Sequence, residues 1–156
     1  MSAKTIFRPL IYIGGLFMKI IKSLVIPLLI LCGCNAKNQP EEQHNYHEIK
    51  DRLILWNNIF NQDEDDYLVY FYSERCGYCN EIKQDVLKFY LQEYMPMYFV
   101  CTDYDVVVGP RSDLTGIDSI EDFFIFGTPF LARIKQHIVF NYYVGVSEIR
   151  DYISTF

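Results

Sequence analysis

Basic residues and histidines are both scarce in this chain of 156 residues, and the two shortages exclude different things. Fourteen Lys and Arg stand against twenty Asp and Glu, a formal net charge of −6. An acidic body repels phosphate, which argues against nucleic acid or an anionic membrane surface as a partner. Structural zinc takes four ligands, usually from two closely spaced pairs. Beyond Cys76 and Cys79, the body of the chain offers only Cys101, His44, His47 and His137, none with paired spacing. No internal repeat is present, and two domains of this length would bury too little surface. What the chain has in quantity is apolar residue, 51% of the total with 17% aromatic, enough for one compact domain with a real core.

The first 34 residues do not read as part of that core. Lys19 and Lys22 precede a short apolar run that ends in Leu31-Cys32-Gly33-Cys34 and then turns polar. A charged region, an apolar stretch and small residues at its end make an export signal. Leu-Cys-Gly-Cys resembles the bacterial lipobox, and that resemblance implies lipidation of Cys34 as the first mature residue. Met18 is a typical start for such a signal, which leaves the upstream residues as a mis-start or a long charged region. The alternative is an uncleaved anchor over residues 10–34, with the two lysines near its middle at a cost of several kcal/mol. Either way the domain is expected outside the cytoplasm, on the cell membrane. Removing the leader takes four basic residues and no acids, so the formal charge moves to −10. Residues 35–46 are polar and read as a flexible tether, and residues 47–156 as the folded domain.

Within that domain, Ile49, Leu53, Trp56 and Phe60 recur at helical spacing and predict an amphipathic helix of about three turns. A continuous apolar run at 68–72 suits a buried central strand, and 97–101 is a second. Between them, Ile82, Val86, Phe89 and Tyr90 mark one face of a helix closed by Pro96. Val106-Val107-Val108 is a short strand or a packed loop. Asp118-Ser119 is expected to cap a short helix at 120–124, with Glu121 and Asp122 in its first turn. Strands at 130–134 and 138–144 around Gln136-His137 predict an antiparallel hairpin. Gly145 then breaks the strand, and Ser147 is expected to cap a final helix lined by Ile149, Tyr152, Ile153 and Phe156. Strands separated by helices imply parallel pairing by right-handed crossovers, with the hairpin as an antiparallel edge. The expected architecture is α/β, a mixed four-stranded sheet with helices on both faces.

The chemistry concentrates at Cys76-Gly77-Tyr78-Cys79, between the first strand and its following helix. Unpaired backbone N–H groups in a helix's first turn favour a thiolate on the first sulfur. A lowered thiolate pKa makes that sulfur both a nucleophile at neutral pH and a good leaving group in exchange.

Tyr67-Leu-Val-Tyr-Phe-Tyr-Ser-Glu-Arg-Cys-Gly-Tyr-Cys79, the strand ending at Asp103, and Phe126-Gly-Thr-Pro-Phe-Leu131 together resemble the thioredoxin-like superfamily. The likeness extends over 48–156. It implies a cis proline at Pro129 lying against the cysteines, with Cys76 as the exposed attacking thiol and Cys79 as the buried resolving one. It also implies that Gly77, Tyr78, Thr128 and Pro129 line the substrate site, an extended segment pairing with Thr128 as an added strand. In the family a buried acid lies six residues before the first Cys, where this chain has Tyr70, and its lysine partner falls at Phe99. Tyr72 stands where thioredoxins carry Trp. Proton removal from Cys79 is therefore left to water or another group. Arg75 either supports the Cys76 thiolate or is a solvated loop charge. Cys101 is expected as an inert core thiol, His137 as a solvated turn residue and Asp85 as surface charge.

The expected function is that of an extracytoplasmic, membrane-tethered thiol–disulfide oxidoreductase of bacterial lipoprotein type. Its partners would be protein substrates with cysteines or disulfides and a second protein's dithiol. No metal or organic cofactor is implied. The alternative is a tethered, non-catalytic binding module whose Cys76–Cys79 bridge is structural. The direction of electron flow stays open between reductase, oxidase and isomerase.

Overall fold

The computed structural model describes residues 44–104 and 106–156. The expected export signal, Cys34 with its lipid, and residues 35–43 of the expected tether lie outside them.

Strand β1 (Asp66–Tyr72) runs through the middle of a four-stranded sheet ordered β2-β1-β3-β4, in which β2 is Met97–Cys101, β3 Phe130–Lys135 and β4 Ile138–Val144. From Tyr67 to Tyr72 every residue of β1 is buried, which is why its sequence reads as an unbroken apolar run. Successive side chains point to opposite faces. Tyr67, Val69 and Phe71 enter one core layer, while Leu68, Tyr70 and Tyr72 enter the other. β2 is parallel to β1, with Leu68 opposite Met97 and Tyr72 opposite Cys101. β3 is antiparallel to both β1 and β4. Antiparallel pairing thus reaches the centre of the sheet, further in than the expected edge hairpin. The β3–β4 turn is made by Gln136 and His137, both in the left-handed region at φ 53° and 61°.

Helices α1 (Gly77–Leu91) and α2 (Gly145–Ile153) cover the face of Leu68, Tyr70 and Tyr72. α1 buries Cys79, Ile82, Val86, Leu87 and Phe89, so the predicted stripe holds except that Tyr90 is half-buried. It ends at Leu91, ahead of Pro96. In α2 only Ile149 is fully buried. Ser147 is not its cap. The N-cap is Val144, whose N–H donates to the Glu148 carboxylate at 2.8 Å. Gly145 opens the helix at φ 82°, a conformation that a side chain at this turn would strain.

Two further expectations are corrected. The stripe Ile49, Leu53, Trp56, Phe60 is not one helix but two 3₁₀ segments, Tyr46–Arg52 and Trp56–Asn58, around an extended break. In that break the Ile54 N–H donates to the Phe99 carbonyl at 2.9 Å, and Leu53 bridges Phe99, so the chain covers the outer edge of β2. Ile49 serves one core layer while Trp56, Ile59 and Phe60 serve the other. A single straight helix cannot face both. The expected helix at 120–124 is also absent. Ser119 uses its hydroxyl on the Glu121 carboxylate and on the Glu121 N–H, a local turn that competes with helix. Phe123 and Ile125 are both buried, and the Ile125 N–H pairs with the Val107 carbonyl at 3.0 Å. This extended segment, with Leu114 and Trp56–Asn58, closes the second face. Val106-Val107-Val108 is a loop in which only Val106 packs against the core, Val107 and Val108 being exposed, with one bridge from Val108 to Ile125.

Phe71 is fully buried among Trp56, Phe123 and Phe130, with ring centroids 5.6–5.9 Å away. Phe71→Ala is expected to cost about 3–5 kcal/mol of stability, read from the shift of the urea unfolding midpoint. An unshifted midpoint would contradict this packing.

Candidate functional site

Chain geometry brings Cys76 to the helix end that the sequence marks for it. The β1 strand stops at Tyr72, and Ser73 to Arg75 form a turn closed by the Cys76 N–H donating to the Ser73 carbonyl at 3.2 Å. Cys76 is then the N-cap of α1, and its sulfur accepts the Cys79 N–H at 3.2 Å. A side chain at this position satisfies one of the orphan donors of the first turn. The sulfur here does what a Ser or Asp oxygen does elsewhere.

Across the site, β3 begins at Phe130 immediately after a cis Thr128–Pro129 bond. Gly127, at φ 139°, supplies the backbone turn into it. The Cys76 thiol donates to the Thr128 carbonyl at 3.4 Å, although the two residues are 52 apart in the chain. Cys76 is half-buried and Cys79 fully buried, and both carry free thiols. Tyr78 is exposed, and nothing lies within 4 Å of a Cβ built on Gly77, so both residues border Cys76 on its open side.

Burial works to raise the Cys76 pKa, but hydrogen bonds outweigh it and the net shift is downward. The donors are the Cys79 thiol, the Thr128 side chain and the N–H groups of Cys79 and Tyr78. Cys79 moves the other way. Burial, then its bond to the Cys76 sulfur, pushes it up to about 11. The pair therefore divides into a thiolate former at the mouth and a proton holder beneath it, the asymmetry that sequential exchange requires.

Several neighbours differ from expectation or refine it. Tyr70 is fully buried on the Cys79 side of the sheet, its hydroxyl without a partner among the described residues, and burial drives its pKa far up, so it is not a base. Phe99 is likewise buried and packs edge-on against Tyr70. Tyr72 stacks on Tyr46 with centroids 4.1 Å apart. The Arg75 side chain, 81% exposed, reaches Asp103 at 3.5 Å rather than Cys76, so the solvated reading holds. Cys101 is half-buried at the end of β2, not a core thiol, and its sulfur donates to Asp103 at 3.6 Å. His137 is exposed in its turn, as expected, with its Nδ1 2.8 Å from the Phe60 carbonyl. Asp85 pairs with Arg150 of α2 at 2.9 Å on the surface. Ser73 and Asp103 contact each other beside the cysteines; the sequence signalled only that Asp103 ends a strand.

The parallel β2-β1 pair, the central antiparallel β3, the edge β4 and the dithiol at the β1–α1 junction make this an α/β thioredoxin-like fold. No protein-family model and no curated protein matches the chain. Solved structures do match. One is the crystal structure of Chlamydomonas reinhardtii thioredoxin f2, 14% identical, covering 66% of this chain and 90% of that one at a TM-score of 0.44.

Because the shifts oppose, alkylation should separate the two thiols. The iodoacetamide rate at Cys76 is expected to rise with pH through a midpoint below the ~8.5 of a free cysteine. It falls as pH drops through that midpoint, since protonation removes the nucleophile. Cys79 should react only near pH 11 or after unfolding. Equal rates at the two positions would contradict the asymmetry.

Proposed function

We propose that this domain is a thiol–disulfide oxidoreductase acting on protein cysteines. The observation that carries the reading is the Cys76 sulfur, at a helix N-terminus and 3.4 Å from the Thr128 carbonyl. In the reductase direction, the Cys76 thiolate attacks a substrate disulfide. One Cys76–substrate S–S bond forms, the substrate S–S bond breaks, and the released substrate thiolate takes a proton from solvent. Substrate backbone flanking the target cysteine pairs with Thr128 beside Pro129, with Gly77 and Tyr78 forming the open border. Cys79 then loses its proton to water and attacks the Cys76 sulfur. A Cys76–Cys79 disulfide forms, and the second substrate thiolate leaves. The substrate gains two electrons, and the site loses two. A dithiol of another protein restores the starting state by the same exchange. Run in reverse, these steps insert a disulfide.

The tether is part of the same proposal and rests on the leader sequence, with its lipobox-like Leu31-Cys32-Gly33-Cys34. Cys34 carries lipid, and the domain works on the extracytoplasmic face of a cell membrane, where disulfides persist. A single chain holds only marginally, so more than one acyl group is implied. Among the described residues no helix is long and apolar enough to cross a membrane.

Cys76→Ser is expected to abolish reduction of a model protein disulfide. Cys79→Ser should instead accumulate mixed disulfides visible on non-reducing gels. Full turnover by the Cys76 variant would overturn the catalytic reading. A Cys76–Cys79 bridge that resists dithiothreitol would favour a structural disulfide in a binding module. Incorporation of labelled palmitate should disappear in Cys34→Ser; retained label would remove Cys34 as the anchor.

A further inference from the structure

The turn that delivers Cys76 to its helix is held from outside by one carboxylate. Ser73 begins that turn, and its carbonyl accepts the Cys76 N–H at 3.2 Å. Its hydroxyl accepts the Arg75 N–H at 3.2 Å and donates to Asp103 Oδ1 at 2.7 Å. Asp103 Oδ2 accepts the Glu74 N–H at 3.3 Å and the Cys101 thiol at 3.6 Å. The carboxylate is itself fixed by the last rung of the parallel pair, where the Thr102 N–H donates to the Tyr72 carbonyl at 2.7 Å. Its side chain is only 13% exposed. No other residue bonds to both the hydroxyl and the backbone of this turn among the described residues.

We infer that Asp103 is a positioning residue for the dithiol: acting through Ser73, it holds the 73–75 turn so that the Cys76 sulfur stays aligned with the first N–H groups of α1. The inference rests on the exchange function proposed above. Asp103 does not touch the reacting sulfurs. It acts on Cys76 through the Ser73 carbonyl, which accepts the Cys76 N–H. Charged or titratable groups facing Asp103 are Arg75, Glu74, Cys101 and the Tyr72 hydroxyl. The Arg75 side chain, 81% exposed and 3.5 Å from Asp103, adds little beside the shorter, part-buried bond from the Ser73 hydroxyl. The bond from Ser73 is a charge-assisted one to a mostly buried acceptor, the stronger kind.

The test uses the full chain and reads the iodoacetamide rate at Cys76 against pH, by mass spectrometry, in Asp103→Ala, Asp103→Asn and Ser73→Ala. Losing the clamp lets the turn relax and misaligns the thiolate with its donors. Both alanine variants should then react roughly 3- to 10-fold more slowly at pH 7, with midpoints moved to higher pH. Asparagine keeps an oxygen for the Ser73 hydroxyl but loses the charge and the acceptor of the Glu74 N–H, and should fall between wild type and Asp103→Ala. A purely structural role would lower the unfolding midpoint without moving the pH profile. Should Asp103→Ala fail to fold, Ser73→Ala carries the test. A wild-type profile in folded Ser73→Ala overturns the inference and leaves the exchange function standing. A wild-type Cys76 no more reactive than an unfolded-chain cysteine overturns both.

Discussion

A sulfur on a helix N-cap facing a carbonyl from another strand is the constraint around which this domain is organised. Cys76 is held by local bonds on one side, to the Cys79 N–H and the Ser73 carbonyl, and meets Thr128 on the other. The local bonds need only the β1–α1 junction. The Thr128 contact needs the whole sheet, because β3 must lie antiparallel beside β1 for its leading residues to arrive at the same end. With Phe71 opposite Phe130 in that register, the residue ahead of Pro129 falls beside the start of α1. The core layers above and below β1 therefore serve the site directly, since they fix this register. Slipping β3 by one residue would exchange the faces of Phe130 and Leu131 and bury the wrong set.

The electrostatics follow from the same placement. The first sulfur keeps a share of solvent and the N–H groups of the first turn, so its charged form is favoured. The second, one helical turn deeper, is surrounded by Tyr70, Tyr72 and Ile82 in the same core layer, and its proton is retained. In place of an acid beneath Cys79 the chain carries Tyr70, whose protonated hydroxyl accepts no proton from it. In the proposed exchange, resolution by Cys79 would depend on water reaching the sulfur from the mouth. The Asp103 carboxylate stands at the rim and acts on the turn.

Much of this is legible in the amino-acid sequence, and the reasons are local. The runs at β1 and β2 read as strands because both faces of the sheet are covered, so nearly every residue is apolar. The β3–β4 hairpin read correctly because polar Gln136-His137 interrupt two strand-like stretches. Cys76 and Cys79 came from their spacing at a strand-to-helix junction, and Pro129 from the family resemblance. The segment from Ile49 to Phe60 misled because helical spacing was satisfied by residues that belong to two different core layers. The region 118–125 misled because cap residues such as Ser119 stabilise turns as readily as helices. Asp103 and Ser73 were invisible as partners, since nothing in a sequence joins a residue just past a strand's end to a turn some thirty positions earlier.

The most direct measurement is the equilibrium between the Cys76–Cys79 dithiol and its disulfide across a dithiothreitol and glutathione series, read by alkylation and intact mass. A reversible two-electron transition confined to this pair is expected, with a midpoint between about −270 mV, as in reductases, and about −120 mV, as in strong oxidants. A pair that never forms the bond, or a bond that strong reductant leaves intact, would contradict exchange at this site.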